Sequence, residues 1–233
     1  MSKSIVVVGF GPGISTAVAE KFGAEGFSVA LVARNQARLD AGVLALQAKG
    51  VAAAAFAADA GDPAAIRAAI GKARAAFGPI AVIHWNAFSG GEAGNLMTTD
   101  PTVVRGVFDV AVVGLLSAVQ ETLPDLKSSG GAVLVTNGAF GDTTPVMDGL
   151  AIALKAMGVG LANAAKHKLV GMLSAALKAD GVYVGEVTVA GVIKGTSFDT
   201  GRDQGFPGIE GSAVANKFWE LYRARDEVRA RIP

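Results

Sequence analysis

The 233-residue sequence contains no cysteine, which excludes disulfide bonds, thiol nucleophiles and thiolate metal sites. It has only two histidines, too few for a metal-ligand cluster of the usual kind. Its 21 basic and 20 acidic residues nearly cancel, so we expect no electrostatic attraction to nucleic acid or to a membrane surface. Tyrosine is also scarce, with only Tyr183 and Tyr222.

Long hydrophobic runs are missing as well. The longest strongly apolar stretch, around residues 110–119, is shorter than the roughly 18 residues that span a bilayer. The first residues carry one positive charge and a short apolar run that stops at Gly9, whereas a signal peptide needs a longer apolar core. We therefore expect a cytoplasmic protein that works away from membranes.

The composition, 51% hydrophobic and 18% charged, is typical of one compact α/β domain that takes up the whole chain, residues 1–233. Short β-branched runs alternate with helical stretches, which predicts a parallel sheet with crossover helices. The runs are continuously apolar, so both faces of the sheet should be covered. The predicted strands are residues 4–8, 28–33, 52–57, 80–85, 132–136 and 182–189.

Helices are predicted between these strands. They begin near Ile14 and Pro63 and run over about 36–49, 102–127, 158–179 and 212–225. Two segments, 138–156 and 195–211, are predicted as loops on the substrate side, because they are long, mixed in composition or rich in glycine. The pattern leaves open whether residues 227–232 form a last edge strand.

The first strand leads into a glycine-rich turn, residues 9–13, called the glycine turn below. It reads Gly9-Phe10-Gly11-Pro12-Gly13 and is followed by Ile14 and Ser15. Such a turn lets backbone N–H groups and the helix dipole face a pyrophosphate, although glycine-rich turns also serve as tight connections. Its place at the first strand–helix junction favours a dinucleotide site.

The second strand ends at Ala33-Arg34-Asn35. An acidic residue here would bind the ribose 2′-hydroxyl of NAD, whereas the Arg34 guanidinium suits the 2′-phosphate of NADP. Arg38, one turn into the next helix, could assist. We therefore predict NADP(H) in preference to NAD(H), against the plainer interpretation of Arg34 as a solvated residue at a helix start.

Several motifs together resemble the short-chain dehydrogenase/reductase family over nearly the whole chain. They are Gly-x-x-x-Gly-Ile-Ser at 9–15, Ala58-Asp59-Ala60, Asn86-Ala87, the helical segment 108–114 and the segment 190–196. The resemblance implies a doubly wound Rossmann fold with a parallel sheet of six to seven strands in the order 3-2-1-4-5-6-7.

The resemblance also implies roles for individual residues. Asp59 with Ala60 would bind the adenine, Asn86 and Ala87 would line the cofactor site, and Ile193 and Thr196 would close over the nicotinamide. The family's helices often pair in homodimers or homotetramers. Apolar residues on the matching helices here are Val112, Leu115, Leu116, Met172 and Leu173, unless they face the sheet.

The departures from the family pattern fall on the reaction chemistry. The family uses a serine, a tyrosine, a lysine and an asparagine. The resemblance places Gly138 at the serine, Ala162 at the tyrosine and Ala111 at the asparagine, and it keeps Lys166, which would bind the nicotinamide ribose. A register with Ala151 and Lys155, or one with Val159 seven residues before Lys166, recovers no tyrosine either.

Other acids are His84, His167, Asp142 and Asp148, each of which fits a packing or solvated role at least as well. Three hypotheses remain. The chain is an NADP(H)-dependent oxidoreductase with a non-standard proton source, a catalytically silent NADP(H)-binding protein, or a structural building block. Retention of Arg34, Asp59 and Lys166 speaks against the third.

Overall fold

The computed structural model describes residues 3–201 and 205–233. Its strands are β1 (Ser4–Val8), β2 (Ser28–Ala33), β3 (Ala53–Ala57), β4 (Ile80–Trp85), β5 (Ala132–Gly138), β6 (Tyr183–Val189), β7 (Val192–Ile193), β8 (Gly208–Ile209) and β9 (Arg229–Ile232). Seven strands pair in parallel in the order β3-β2-β1-β4-β5-β6-β9, and β7 pairs with β8 in a second small sheet. This order confirms the predicted doubly wound α/β fold, with β9 as its seventh strand.

The continuously apolar strands are buried on both faces of the sheet. In β1, Ile5 and Val7 belong to the hydrophobic core on one face, whereas Val6 and Val8 belong to the core on the other. Neither set alternates with polar residues, because helices cover both sides. Since all seven strands run the same way, the loops after β1, β4, β5 and β6 gather at one edge of the sheet.

The helices are α1 (Ile14–Ala24), α2 (Gln36–Gln47), α3 (Pro63–Phe77), α4 (Pro101–Phe108), α5 (Leu115–Ser129), α6 (Pro145–Ala153), α7 (Met157–Leu177) and α8 (Gly211–Ala224). Several begin at side-chain caps: Asn35 for α2, Asp62 for α3, Asp100 for α4 and Thr144 for α6. Proline fills the first position of α3, α4 and α6, where no N–H is needed.

The helix predicted over 102–127 is one continuous helix, Pro101–Ser129, in which a π-helical segment, Asp109–Gly114, joins α4 to α5. By length and composition alone this helix could cross a membrane, with a mean hydropathy of 1.8 in its apolar window, 39% of which is buried. Core helices of soluble proteins pass the same test, so the finding is weak evidence for a membrane span. The 10-residue apolar stretch seen in the sequence is therefore part of a longer apolar helix.

The first predicted substrate-side loop, 138–156, contains a helix that the sequence did not predict. A single 3-10 turn, Ala139–Gly141, is followed by α6, which Thr144 caps by accepting a hydrogen bond from the Met147 amide. The second predicted loop, 195–211, includes β8 and also residues 202–204, which lie outside the described residues. Both segments lie at the carboxyl edge of the sheet.

The apolar helix residues predicted for association differ in exposure. Leu115 is fully buried against the sheet, and Leu173 packs partly on the same core. Met172, by contrast, is 53% exposed, whereas Val112 and Leu116 are partly buried. Val113, which was not among the predicted residues, is 40% exposed. Leu115 is therefore unavailable for association, because its side chain is part of the core of the domain.

Candidate functional site

The glycine turn packs against the loop that follows β4. Gly9 has a positive φ of 84°, and a Cβ atom there would lie 2.4 Å from the Ala87 amide nitrogen and 2.8 Å from the Asn86 carbonyl carbon. The Gly9 amide also donates a hydrogen bond of 2.9 Å to the Val32 carbonyl at the end of β2. Only glycine can combine this backbone conformation with such a close approach.

The other end of the turn packs against the segment after β7. Gly13 has a φ of 85°, and a Cβ atom there would lie 2.7 Å from Thr196 Cγ2 and 2.8 Å from Ile193 Cγ2. The Thr196 hydroxyl donates to the Ile193 carbonyl at 2.7 Å, which holds this segment against the turn. The structure thus brings together Gly9, Gly13, Asn86, Ala87, Ile193 and Thr196.

The first turn of α1 presents backbone N–H groups without a side-chain cap. Among the described residues, no side chain bonds to the cap at Gly13, and the first turn has no acidic residue. Inside the turn, Ser15 Oγ accepts from the Gly11 amide at 2.8 Å and donates to the Gly11 carbonyl at 2.9 Å. The uncapped helix start, together with its dipole, fits an anion such as a pyrophosphate.

Two arginines extend this positive region. Arg34 and Arg38 are exposed at the end of β2 and the start of α2, and neither makes an ion pair within residues 3–201 and 205–233. The Asn35 side chain accepts from the Arg38 amide at 2.9 Å, so it serves as the cap of α2. Arg38 Nη1 lies 3.7 Å from the position of a Cβ atom on Gly11. The Arg38 guanidinium therefore borders the glycine turn.

The loop after β3 is held by the π-helical segment. Asp59 is exposed, and its Oδ1 accepts from the Gly61 amide at 2.9 Å. A Cβ atom on Gly114 would lie 1.9 Å from the Ala60 carbonyl oxygen, so only glycine fits beneath this loop. Asp59 and Ala60 thus stand beside the end of β2, where the sequence places the adenine.

At the end of β5, the position assigned to the serine faces an asparagine. A Cβ atom on Gly138 would lie 2.7 Å from Asn163 Nδ2, the end of a flexible side chain. Asn163 is buried on α7, and its carbonyl accepts from Asn137 Nδ2 at 2.9 Å. Sequence reasoning missed Asn163, because no pattern in the sequence indicates that its side chain faces Gly138.

The positions assigned to the tyrosine and the asparagine pack against each other. Ala162 and Ala111 are 2% and 0% exposed, and they share a small apolar cluster with Ala93 and Val107, called the alanine cluster below. Side chains of the π-helical segment, α4 and α7 therefore fill this volume. Both alanines are therefore part of a packed apolar cluster.

Lys166 is buried beneath α7. It is 3% exposed, and its Nζ donates to the Thr136 carbonyl at 3.0 Å, two residues before Gly138. Burial lowers the pKa of the Lys166 ammonium to about 8, and the charge of Glu186 opposes that shift. No described contact tests the ribose contact predicted for Lys166.

The alternative registers lie in different surroundings. Ala151 is buried in α6, whereas Lys155 is an exposed residue with a φ of 52° in the break between α6 and α7. Val159 is partly exposed, and its amide nitrogen lies 2.8 Å from the position of a Cβ atom on Gly90. Val159 therefore borders the loop that carries Asn86 and Ala87.

His84 is a packing residue. It is fully buried, its Nε2 lies 3.0 Å from Thr136 Oγ1, and its ring meets Phe218 of α8 edge-on at 4.8 Å. Burial lowers the pKa of His84 to about 3, so the ring is neutral at physiological pH. It lies on the α8 face of the sheet, away from Gly138.

His167 belongs to a polar cluster around Glu186 of β6. Glu186 is fully buried, and Asn137 Nδ2 donates to its Oε1. His167 Nδ1 and Arg229 Nε lie 3.1 and 3.5 Å from Glu186 Oε2. These partners offset the cost of burying a carboxylate.

The two aspartates of the first loop differ in their contacts. Asp142 pairs with Arg231 at 2.8 Å, and Asp148 is exposed in the first turn of α6. A cavity of about 490 Å³ is lined by Asp142, His167 and Arg229, together with residues of the 3-10 turn and α7. Over the described residues, no group of three metal-ligating side chains comes together.

Comparison with known proteins agrees with this geometry. Residues 3–196 match the family model described as short chain dehydrogenase. A curated relative, the short-chain dehydrogenase/reductase SDRA of Arabidopsis thaliana, is 24% identical over 135 residues, which is 58% of this chain and 53% of the relative. The match therefore spans about half the length of that relative.

Solved structures match over nearly the whole chain. L-sorbose reductase from Gluconobacter frateurii, in complex with NADPH and L-sorbose, has a TM-score of 0.84 at 20% identity, covering 99% of this chain and 95% of that one. A 3-ketoacyl-ACP reductase from Sinorhizobium meliloti has a TM-score of 0.84 at 22% identity, covering 98% and 96%. A short-chain dehydrogenase from Sphingobium yanoikuyae, in complex with NADPH, has a TM-score of 0.80 at 24% identity, covering 99% and 88%. At such identities the likeness concerns the fold.

Proposed function

Since the chain belongs to the short-chain dehydrogenase family, we propose that it is an NADP(H)-dependent oxidoreductase of a carbonyl, alcohol or enone compound. The observation that carries this proposal is the glycine turn in front of the uncapped α1. Its closely packed glycines and open N–H groups fit a pyrophosphate. When bound, NADPH supplies the hydride.

The preference for NADP(H) rests on charge. Arg34 and Arg38 are exposed cations at the end of β2 and the start of α2, and Arg34 follows β2 directly, where an acidic residue would repel a 2′-phosphate. The NADPH complexes of L-sorbose reductase and of the Sphingobium dehydrogenase support a nicotinamide cofactor for this fold. Asp59 would bind the adenine, and Ile193 with Thr196 would close over the nicotinamide.

Lys166 is our proposed proton source. Its pKa of about 8 lies near the pH at which an acid can both hold and release a proton. In a reduction, a Lys166 N–H bond would break and its proton would pass to the substrate oxygen, while the hydride forms the new C–H bond. The ammonium donates to the Thr136 carbonyl, two residues before Gly138 in β5, which supports a role at this end of the strand.

The alternative is a catalytically silent NADP(H)-binding protein. The alanine cluster favours it, because Ala111 and Ala162 fill the volume where an acid and its supporting groups would stand. A general acid is typically worth about 10² to 10⁴-fold in rate, so its loss slows hydride transfer without forbidding it. The two functions share the cofactor site and differ only in chemistry.

Cofactor choice is tested by calorimetry with NADPH and NADH. We expect NADPH to bind about tenfold or more tightly, because a guanidinium–phosphate hydrogen bond is worth roughly 1.5–3 kcal/mol. Arg34→Glu should reverse the preference. Lys178→Glu, the same charge change on an exposed lysine beyond α7, should leave it unchanged. Equal affinities in the unmodified protein would contradict the proposal.

Chemistry is tested by single-turnover decay of bound NADPH across a panel of ketones, aldehydes and enones. Decay that Lys166→Met slows by about 10² to 10⁴-fold, and that slows above about pH 8 as the ammonium loses its proton, supports the oxidoreductase. Decay no faster than in buffer, with tight NADPH binding, supports the silent protein.

Association and location are further proposals. We infer a homodimer or homotetramer in the cytoplasm, without nucleic acid or a membrane as partner, in which the exposed Met172 and Val113 lie at the contact between subunits. Sedimentation equilibrium of the full chain and of Met172→Glu tests this, since a monomer in both would contradict it.

A further inference from the structure

Exposed large apolar side chains are concentrated on one side of the molecule. Of the ten among the described residues, seven lie in segments 88–97 and 146–161 and at Phe198. These segments border the glycine turn, the Gly90–Val159 contact and the end of β5. A concentration of this kind marks a binding surface, whereas single exposed apolar residues need no explanation.

Two aromatic rings cross this surface. Phe88 and Phe198 are 53% and 56% exposed, and their ring centroids lie 5.7 Å apart with planes tilted by 49°. Phe88 directly follows Ala87, which packs on Gly9, and Phe198 follows Thr196, which packs on Gly13, by two residues. The ring pair therefore bridges two arms that are each anchored on the glycine turn.

The arm that carries Phe198 is a compact turn. Asp199 accepts hydrogen bonds of 3.0 Å from the amides of Gly195 and Gly201, which both have positive φ values near 70°. These bonds leave Phe198 projecting towards the other arm, where it meets Phe88. The contact between the two arms consists of two solvent-exposed rings, so the aromatic ring of a ligand can replace it at little cost in free energy.

We propose that Phe88 and Phe198 form an aromatic gate that selects a substrate carrying an aromatic ring next to its carbonyl or alcohol group. The proposal rests on the proposed function, because it concerns the substrate of the same site. Aromatic pairs gain edge-to-face or offset-stacked contacts beyond the burial of apolar area, and an aliphatic ring of equal size lacks them. The gate therefore distinguishes ring chemistry as well as size.

The probes are acetophenone and cyclohexyl methyl ketone, which differ in the ring and little in size. Titrated by calorimetry into the full chain saturated with NADPH, acetophenone should bind roughly 2- to 12-fold more tightly, the range that aromatic contacts supply. Phe88→Leu and Phe198→Leu keep an apolar side chain and should bring the ratio towards one. Leu44→Ala, at a 67% exposed leucine on α2, should leave the ratio unchanged.

Three results would overturn the gate. They are equal binding of the two ketones, a ratio that both leucine variants retain, and no binding of either ketone up to its solubility limit. A weaker NADPH affinity in the leucine variants would also overturn it, because the rings would then hold the cofactor.

Failure of the proposed function can be distinguished from failure of the aromatic gate. If NADPH itself does not bind, the two ketones are titrated without it, since the ring contact belongs to the protein alone. A ring preference that depends on Phe88 and Phe198 then still supports the gate, and its absence overturns it. If the protein binds NADPH and acetophenone without turnover, the aromatic gate is supported and only the proposed oxidoreductase activity is contradicted.

Discussion

The polar groups beside strands β1 and β2 differ in their hydrogen bonding from those beside strands β5 and β6. At the first pair, the start of α1 has no side-chain cap, and Arg34 and Arg38 face solvent without ion pairs in the described part of the chain. At the second pair, Lys166 is bonded to the Thr136 carbonyl, and Glu186 is held by Asn137.

This difference bears on function. Polar groups left open at the surface of a fold can bind a ligand without first breaking protein contacts, whereas groups already bonded to one another must be released. The open groups beside β1 and β2 therefore fit the dinucleotide that we propose. The polar groups beside β5 and β6 are instead already hydrogen-bonded within the protein.

The largest expected effect comes from a substitution in the glycine turn. Gly9→Ala should weaken NADPH binding by roughly 100-fold and lower the free energy of unfolding, because its Cβ overlaps the Ala87 amide and the backbone must shift. Calorimetry and urea unfolding measure the two effects.

Gly26→Ala is the matched control for Gly9→Ala. Gly26 has nearly the same φ, 87°, but open space around its Cβ position. It should cost about 1–2 kcal/mol of stability from backbone strain and leave NADPH affinity intact. Equal loss of affinity in both variants would mean that strain, not the contact with Ala87, maintains the site.

The second largest effect is expected from a substitution in the alanine cluster. Ala162→Tyr should lower the free energy of unfolding by about 3 kcal/mol, since the ring has to enter the alanine cluster. Val159→Tyr, on the partly exposed start of α7, should cost less than about 1 kcal/mol. Urea midpoints measure both. If Ala162→Tyr is tolerated and creates activity, the register that places the tyrosine at Ala162 is supported and packing is not the obstacle.

The smallest expected effect comes from Lys166. Its pKa falls from 10.5 in the unfolded chain to about 8 in the folded protein. The unfolded state therefore binds the proton more tightly, and stability rises as the pH increases from 8 to 10.5, while below 8 the full penalty applies. That shift corresponds to a destabilisation of the folded protein by roughly 3 kcal/mol below pH 8. A variant without the ammonium recovers only part of it, because the Thr136 carbonyl loses its hydrogen bond.

Lys166→Met should thus stabilise the protein by about 1–2 kcal/mol at pH 7, and the gain should shrink towards pH 10. Urea unfolding at several pH values measures it. Lys168→Met, at the exposed lysine two residues on, should change little at any pH. A destabilised Lys166→Met at pH 7 would show that the ammonium contributes more by its hydrogen bond than burial costs.

Much of the fold could be predicted from the sequence. The strands over 4–8, 28–33 and 80–85 match β1, β2 and β4, because buried parallel strands are continuous apolar runs bounded by polar or glycine residues. The glycine turn could also be predicted from the sequence, since its φ values and close contacts require glycine. Helix α6 was missed because its nine residues, mostly apolar and interrupted by one glycine, are too few to show a helical period.

The candidate site was predicted less evenly. Gly9 and Gly13 were predicted from the strand–turn–helix pattern. Nothing in the chain order indicated that Asn163 faces Gly138 or that Glu186 lies buried beside His167. Such contacts depend on how α7 rotates over the sheet. One residue of rotation turns a helix face by about 100°, which single-sequence patterns do not resolve.

The sequence by itself determined the parallel sheet, the bounds of β1, β2 and β4 and the glycine turn, because those features depend on local backbone preference and on apolar runs. Only the tertiary structure decided that β9 closes the sheet, that Ala111 and Ala162 fill one cluster, that Lys166 is buried on a carbonyl and that Phe88 meets Phe198. Each of these joins residues far apart in the chain, and their energies depend on burial and contact that arise only when the elements pack.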